Sequence, residues 1–258
     1  MIRKIIQKIY SVNLFRRIIP TTLKIIIKIT KKNKITIVHK KTLIQLNLNN
    51  PIDREIYFKG EYEKKQLDYI SKNIKKENMD YFVDVGAHMG FYSINLAKEK
   101  INIIAFEPIK ENFIQLKKNI QINNMKNIKI FNFGLSNNNK KALMWVPNKE
   151  KTGGYSIFDI KDEEIKKYNF EKIHKKVCRI KKGDDLIKLK NKKIAIKIDV
   201  ERHEINVLKG IEELIKKNKI FLQIELFDKR KKNITDYLHS KKFVFLKKIK
   251  KDYFFKNF

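Results

Sequence analysis

The chain has 258 residues, 42% hydrophobic and 11% aromatic, with 60 Lys and Arg against 28 Asp and Glu, a formal net charge of +32. That length fills one substantial core, and the apolar content excludes a disordered chain. Cys178 is the sole cysteine, which excludes an intrachain disulfide and a Cys-rich metal centre and points to a reducing compartment, the cytoplasm.

The charge admits two readings. Lys and Arg clustered in one stripe would mark a nucleic-acid or membrane face. Here lysines lie in almost every segment among Ile and Asn, residues that an A/T-rich coding bias favours, so a solvated basic surface is the preferred reading.

Residues 1–30 carry Arg3, Lys4, Lys8, Arg16, Arg17, Lys24 and Lys28 among isoleucines. No apolar run there approaches the ~20 residues that span a bilayer, so neither a membrane-spanning helix nor a signal peptide is expected. The segment reads as a cap on the main domain, with peripheral contact to an anionic membrane as its other use. Pro20-Thr21-Thr22 breaks it, Lys34–His39 reads as a β-branched strand, and Leu43–Leu48 supplies a hairpin partner. Pro51 and Gly60 bracket a connecting stretch, after which Glu61–Ile74 has the apolar spacing of a helix. Residues 1–75 are thus expected to form a basic extension and cap.

From residue 76 to 258 a catalytic domain is expected. Strands Tyr81–Val85, Ile101–Phe106 and Ile128–Phe133 alternate with helices Phe91–Lys98 and Glu111–Ile122. Residues 137–180 depart from the rhythm with a strand-like Ala142–Val146, a Thr152-Gly153-Gly154 loop and a polar helical stretch Asp162–Lys175, and read as an insertion on the substrate side. Alternation resumes with strand Ile194–Val200, helix Ile205–Lys217, strand Ile220–Leu226, helix Lys231–Ser240 and strand Phe243–Ile249. Such a pattern predicts an α/β fold, a parallel Rossmann-like sheet with helices on both faces.

Asp84-Val85-Gly86-Ala87-His88-Met89-Gly90 follows a strand and opens a helix, so its glycines permit a tight turn and close backbone approach to a nucleotide-like ligand. The G-x-x-x-G spacing lacks the G-x-G-x-x-G of a dinucleotide fingerprint. A carboxylate at Asp84 repels a diphosphate and suits the ammonium and sulfonium of S-adenosylmethionine. Glu107 closes the next strand, 23 residues beyond Asp84, where an acid accepts hydrogen bonds from both ribose hydroxyls. A purely structural alternative has Asp84 and Gly86 shaping the turn and Glu107 capping the next helix.

Asp199, Glu201, His203 and Glu204 crowd the carboxyl end of another strand, the edge at which open α/β sheets bind ligands. Methyl transfer to a hydroxyl needs a proton acceptor, and Asp199 or His203 is the expected base, with Glu201 in the same catalytic set. The alternative has Asp199 capping the following helix and Glu201 and Glu204 enriching its first turn with negative charge.

Together these segments resemble the FkbM family of methyltransferases over roughly residues 58–226. The resemblance rests on Gly60-Glu61-Tyr62-Glu63, on Phe82–Ser93, on Phe106-Glu107-Pro108, on Asp184-Asp185-Leu186, on Ile196–Glu204 with Val207–Gly210, and on Ile224-Glu225. It implies a class I methyltransferase fold, S-adenosylmethionine as donor, and O-methylation of a sugar, glycan or other small acceptor. The expected cofactor contacts are Asp84, Gly86, Ala87, His88, Gly90, Glu107, Pro108 and Gly134. His88 stands where the family usually has Asn, and Arg202 replaces the glycine of its Val-Glu-Gly-His-Glu segment. No metal is expected, although Asp199, Glu201, His203 and Glu225 have ligand chemistry.

Two other functions compete. An RNA or DNA methyltransferase is suggested by the charge, but Asp199-Val200-Glu201-Arg202 stands where a base N-methylase places Asp/Asn-Pro-Pro-aromatic. A non-catalytic basic module keeping the fold would have no need for Asp84, Gly86, Gly90, Glu107 and Asp199 together.

Overall fold

The computed structural model describes residues 10, 33–146, 157–158 and 174–258. The segment before residue 33, apart from Tyr10, the Thr152-Gly153-Gly154 loop and most of the stretch from Asp162 lie outside the described residues.

Strands β1 (Lys34–His39) and β2 (Thr42–Asn47) form the antiparallel hairpin expected. The stretch from Pro51 to Gly60, read as a connection, is instead helix α1 (Pro51–Lys59). Asn50 caps it through its side chain, Pro51 enters its first turn, and Gly60 ends it at φ 76°, so the Pro and Gly are its start and stop signals. Helix α2 (Lys64–Lys76) follows.

The main sheet takes β3 (Tyr81–Val85), β4 (Asn102–Phe106), β5 (Ile128–Phe131), β10 (Lys193–Ile198), β11 (Lys219–Glu225), β12 (Val244–Ile249) and β13 (Asp252–Lys256). Their order is β12-β13-β11-β10-β3-β4-β5. Only β13 runs antiparallel to both its neighbours, β11 and β12. No strand is expected beyond Ile249, yet β13 follows there and inserts between β11 and β12. A second sheet, β6 (Gly134–Ser136), β7 (Lys140–Val146), β8 (Ile157–Phe158) and β9 (His174–Lys182), is ordered β6-β9-β7-β8. His174 and Lys175, expected at the end of a helical stretch, instead begin β9.

The other α-helices among the described residues are α3 (Phe91–Leu96), α4 (Lys110–Gln121), α5 (Gly183–Leu186), α6 (Glu204–Gly210), α7 (Glu212–Lys217) and α8 (Asp228–Ser240). The single helix expected over 205–217 is two, joined at Ile211.

Alternate strand residues divide between two cores, as the period of two demands. Val83, Ile196, Leu222 and Phe255 pack with Leu208, Leu214 and Leu238 on one face. Phe82, Ala195, Phe221 and Phe254 pack on the other with Ile44, Ile56, Ile70 and Phe91. The hairpin, α1 and α2 therefore share a core with the main sheet. Among the described residues, no helix is long and apolar enough to cross a membrane.

Candidate active site

The chain runs from β3 outward through β4 to β5, then crosses back to β10 and on to β11. The sheet reverses direction between β3 and β10, and ligands bind at the carboxyl ends of strands beside such a switch point. Four strand ends deliver the candidate residues there: Gly86–Gly90 after β3, Glu107 after β4, Asp199–Glu204 after β10 and Glu225 ending β11.

Gly86 stands at φ 86° and Gly90 at φ 88°, in the region that side chains disfavour. The N–H groups of Gly86 and Ala87 both donate to Phe106 O, at 3.0 Å each. A Cβ on Gly86 would lie 2.0 Å from the carbonyl oxygen of Asp199. The amide of Asp199 donates to Val85 O at 3.0 Å. The turn and the Asp199 segment are thus pressed backbone to backbone across the switch point.

His88, at φ 51°, donates its N–H to Glu107 Oε2 at 2.8 Å. Its Nε2 lies 2.8 Å from Asn50 Nδ2, the amide of the α1 cap. Burial pushes the imidazole down to about 4, so the ring is neutral at pH 7 and accepts from Asn50. Glu107 is 4% exposed. Its Oε1 accepts the N–H of Ile109 at 2.9 Å, and Asn112 Nδ2 lies 3.4 Å away. Burial, against these hydrogen bonds, lifts its carboxyl to about 7. Glu107 thus braces the turn that leads into α4, whose N-cap Ile109 has no side-chain cap, and also holds the glycine turn. Oε2 accepts from His88 alone among the described residues, so lone-pair capacity for further donors remains.

Pro108 borders a cavity of about 530 Å³ that Ile109, Asn132, Met144 and Cys178 also line. Gly134 is buried at the start of β6, paired with Ile180 of β9.

Asp84 is 1% exposed and accepts the Ser93 hydroxyl at 2.6 Å. Its cross-strand neighbour is Lys197, whose own neighbour on β11 is Gln223. This polar row was not singled out from the sequence. Lys197 is buried, donates to Asp199 Oδ2 at 2.7 Å and lies 4.8 Å from the Tyr92 ring centre. Burial alone would lower its pKa, but Asp199, Glu63, Asp84 and Asp252 around it raise it. Tyr92 donates to Glu63 Oε2 at 2.8 Å, and Gln223 donates to Tyr92 Oη at 3.2 Å and to Asp252 Oδ1 at 2.8 Å. One polar residue inside each otherwise apolar run, Lys197 in Ile194–Ile198 and Gln223 in Ile220–Ile224, was the available signal.

Burial would raise the Asp199 carboxyl, but the Lys197 ammonium holds it below its ordinary value. Asp199, Glu201 and Glu225, each partly exposed, bring one carboxylate oxygen apiece within 4.8 Å of one another. Burial, reinforced by the neighbouring Asp199 and Glu225, lifts Glu201 to about 9. Burial and Asp199 likewise raise Glu225. Three such oxygens have the donor chemistry of a divalent-cation site, and acidic groups at a strand edge are common without one.

His203 is not placed with this group as an open base. It is 5% exposed, with Nε2 3.0 Å from Ser136 Oγ and Nδ1 3.1 Å from Asn206 Nδ2. It also occupies the N-cap position of α6, which the alternative reading gave to Asp199. Glu201 and Arg202 sit at φ 49° and 77°. The position where the resembled family carries glycine is therefore left-handed, a conformation costing a side-chain-bearing residue about 1 kcal/mol.

The model of the methyltransferase FkbM domain matches residues 84–245. The chain belongs to the FkbM methyltransferase domain family. Among solved structures, this FkbM-family chain is similar to the methyltransferase FkbM of Methylobacillus flagellatus KT, at 16% identity and TM-score 0.48, over 78% of this chain and 52% of that one. It thus spans about half that protein's length. It is similar to M. jannaschii TYW2 in complex with AdoMet, at 11% identity and TM-score 0.45, over 87% and 84% of the two chains. A third similar structure is the magnesium protoporphyrin IX methyltransferase of Synechocystis PCC 6803 with bound SAM, at 10% identity and TM-score 0.46, over 80% and 83%. No curated protein matches the sequence.

Proposed function

We propose that this FkbM-family chain is a methyltransferase that binds S-adenosylmethionine and methylates a hydroxyl oxygen of a sugar, glycan or other small acceptor. The observation that carries the reading is the acidic mouth at the switch point: Asp199, Glu201 and Glu225 within 4.8 Å of one another, on a chain whose net charge is +32. As these carboxyls ionise on rising pH the mouth disfavours phosphate backbones, whereas an ammonium, a sulfonium and neutral hydroxyls are accommodated.

The residues fit the cofactor. Glu107 keeps acceptor capacity for ribose hydroxyls, the Gly86–Gly90 turn brings backbone to the ligand edge, and the cavity at Ile109, Asn132 and Met144 suits a planar heterocycle. When bound, the cofactor supplies an electrophilic methyl group. The chain's own part is to orient the acceptor and take its proton. Asp199, tied to Lys197, is too weak a base for that step, so Glu201 and Glu225 take it, with Asp199 holding them close. A cytoplasmic location belongs to the same proposal, resting on the lone buried thiol of Cys178.

Incubating the full chain with methyl-labelled cofactor and separate glycan, lipid and RNA fractions tests this. Label is expected in a carbohydrate-bearing fraction, with a rate rising as pH approaches about 9, because Glu201 must lose its proton to act. Glu201→Gln or Glu225→Gln should slow transfer by about a hundredfold or more. Label confined to RNA, with affinity falling on the order of a thousandfold from 50 to 200 mM salt, would overturn the acceptor.

A further inference from the structure

We propose that the outer face of the β7–β9 sheet docks onto an anionic lipid surface. This face goes beyond the methyltransferase reading: it lies outside the acidic mouth, although Lys141, Val177 and Arg179 also border the cavity beside Glu107.

Strands β7 and β9 pair antiparallel, with Lys141 opposite Arg179, Leu143 opposite Val177 and Trp145 opposite Lys175. The alternate positions, Met144, Cys178 and Ile180, pack inward with Ile109, so the first set shares the other face. On that face Val177 is 69% and Leu143 39% exposed. Both side chains of this directly opposed aliphatic pair are exposed, with no cover among the described residues. Cations flank it along both strands: Lys175 lies over the Trp145 ring at 4.4 Å, and Arg179 and Lys181 lie over Phe133 at 5.0 and 4.7 Å. Neither residues 127–146 nor 174–182 contain any Asp or Glu, so the charges that β7 and β9 bring to this face are all positive.

Three features select the occupant. A phosphate-lined bilayer surface complements the cations Lys141, Lys175, Arg179 and Lys181. Two bare aliphatic side chains at the centre of the face gain nothing from a nucleic-acid backbone but bury apolar area in the headgroup boundary. A tryptophan with cations beside it is the residue favoured at a membrane interface. A single-stranded nucleic acid would call for successive open aromatic rings, and here the rings stand at the ends of the patch.

Trp145 is the only tryptophan in the chain, so its fluorescence reports on this face alone. Vesicles of phosphatidylglycerol mixed with phosphatidylcholine should shift its emission to the blue and shield it from iodide. Pure phosphatidylcholine should do neither. Lys175→Glu with Lys181→Glu should weaken partitioning by about tenfold or more, whereas Lys65→Glu with Lys72→Glu, an equal charge change on exposed positions of α2, should change it far less. Leu143→Ser should reduce the blue shift with the charge unaltered. Lys141, Val177 and Arg179 also border the cavity beside Glu107 and are left intact. Vesicle binding without a change at Trp145, or equal losses from the two lysine pairs, would overturn the proposal and assign attraction to the general charge. Binding of oligouridylate that alone perturbs Trp145 would overturn it in favour of a nucleic-acid face.

Discussion

Gly86→Val should cost the fold more than about 3 kcal/mol and, with it, cofactor binding. The added Cβ would sit 2.0 Å from the carbonyl oxygen of Asp199, a backbone atom that cannot swing aside as a side chain end does. The Asp199 segment is held from the other direction by its own N–H to Val85, so relief requires the β3–β10 seam to open. A φ of 86° adds strain that a β-branched residue cannot tolerate. Urea denaturation of the variant against wild type checks this. Unchanged stability would show that the seam has slack and that the glycine serves only the ligand.

Glu107→Ala should both destabilise the protein and abolish cofactor binding. The backbone N–H groups of His88 and Ile109 lose their acceptor, and each buried donor left unmade costs about 1–3 kcal/mol. Glu107→Gln keeps one acceptor oxygen and should lose less stability. The pH dependence separates the fold role from the ligand role. Burial holds the carboxyl at about 7 in the fold, above the ordinary 4.5, so the folded state binds more protons than the unfolded chain between those values. Glu107 therefore makes wild type lose stability as pH rises through that window, and Glu107→Gln removes this component. Ribose hydroxyls need the ionised form as acceptor, so cofactor affinity should run the opposite way, rising with pH and levelling above about 7. Denaturation curves at several pH values, compared across the three proteins, read both effects.

Much of the site was legible because it is local. The turn from Asp84 to Gly90 and the acid at Glu107 each sit at a strand end, and the alternation of strands and helices put those ends on one edge. Gly86 was read as room for a ligand, and the structure supplies another reason for it, the carbonyl of Asp199, which lies far along the chain. The base was harder to see. Asp199, Glu201 and His203 are close in sequence, but a left-handed turn at Glu201 and Arg202 and the pull of Ser136 and Asn206 separate His203 from the carboxylates. Glu225 arrives from the neighbouring strand. The network of Glu63, Tyr92, Lys197, Gln223 and Asp252 comes from five separate segments, so no spacing rule could assemble it. In the fold, Pro51 and Gly60 carried the signals of a helix start and stop, but the helix between them is only nine residues long and its apolar face is short. Strand β13 follows β12 after a turn at Lys250, where a lysine gives no turn signal.

Calorimetric titration of S-adenosylmethionine into the full chain at pH 6 and pH 8 tests the central claim most directly. Binding should be micromolar, tighter at pH 8 and absent in Glu107→Ala. A wild-type protein that is folded at both pH values and gives no heat of binding at either would contradict it.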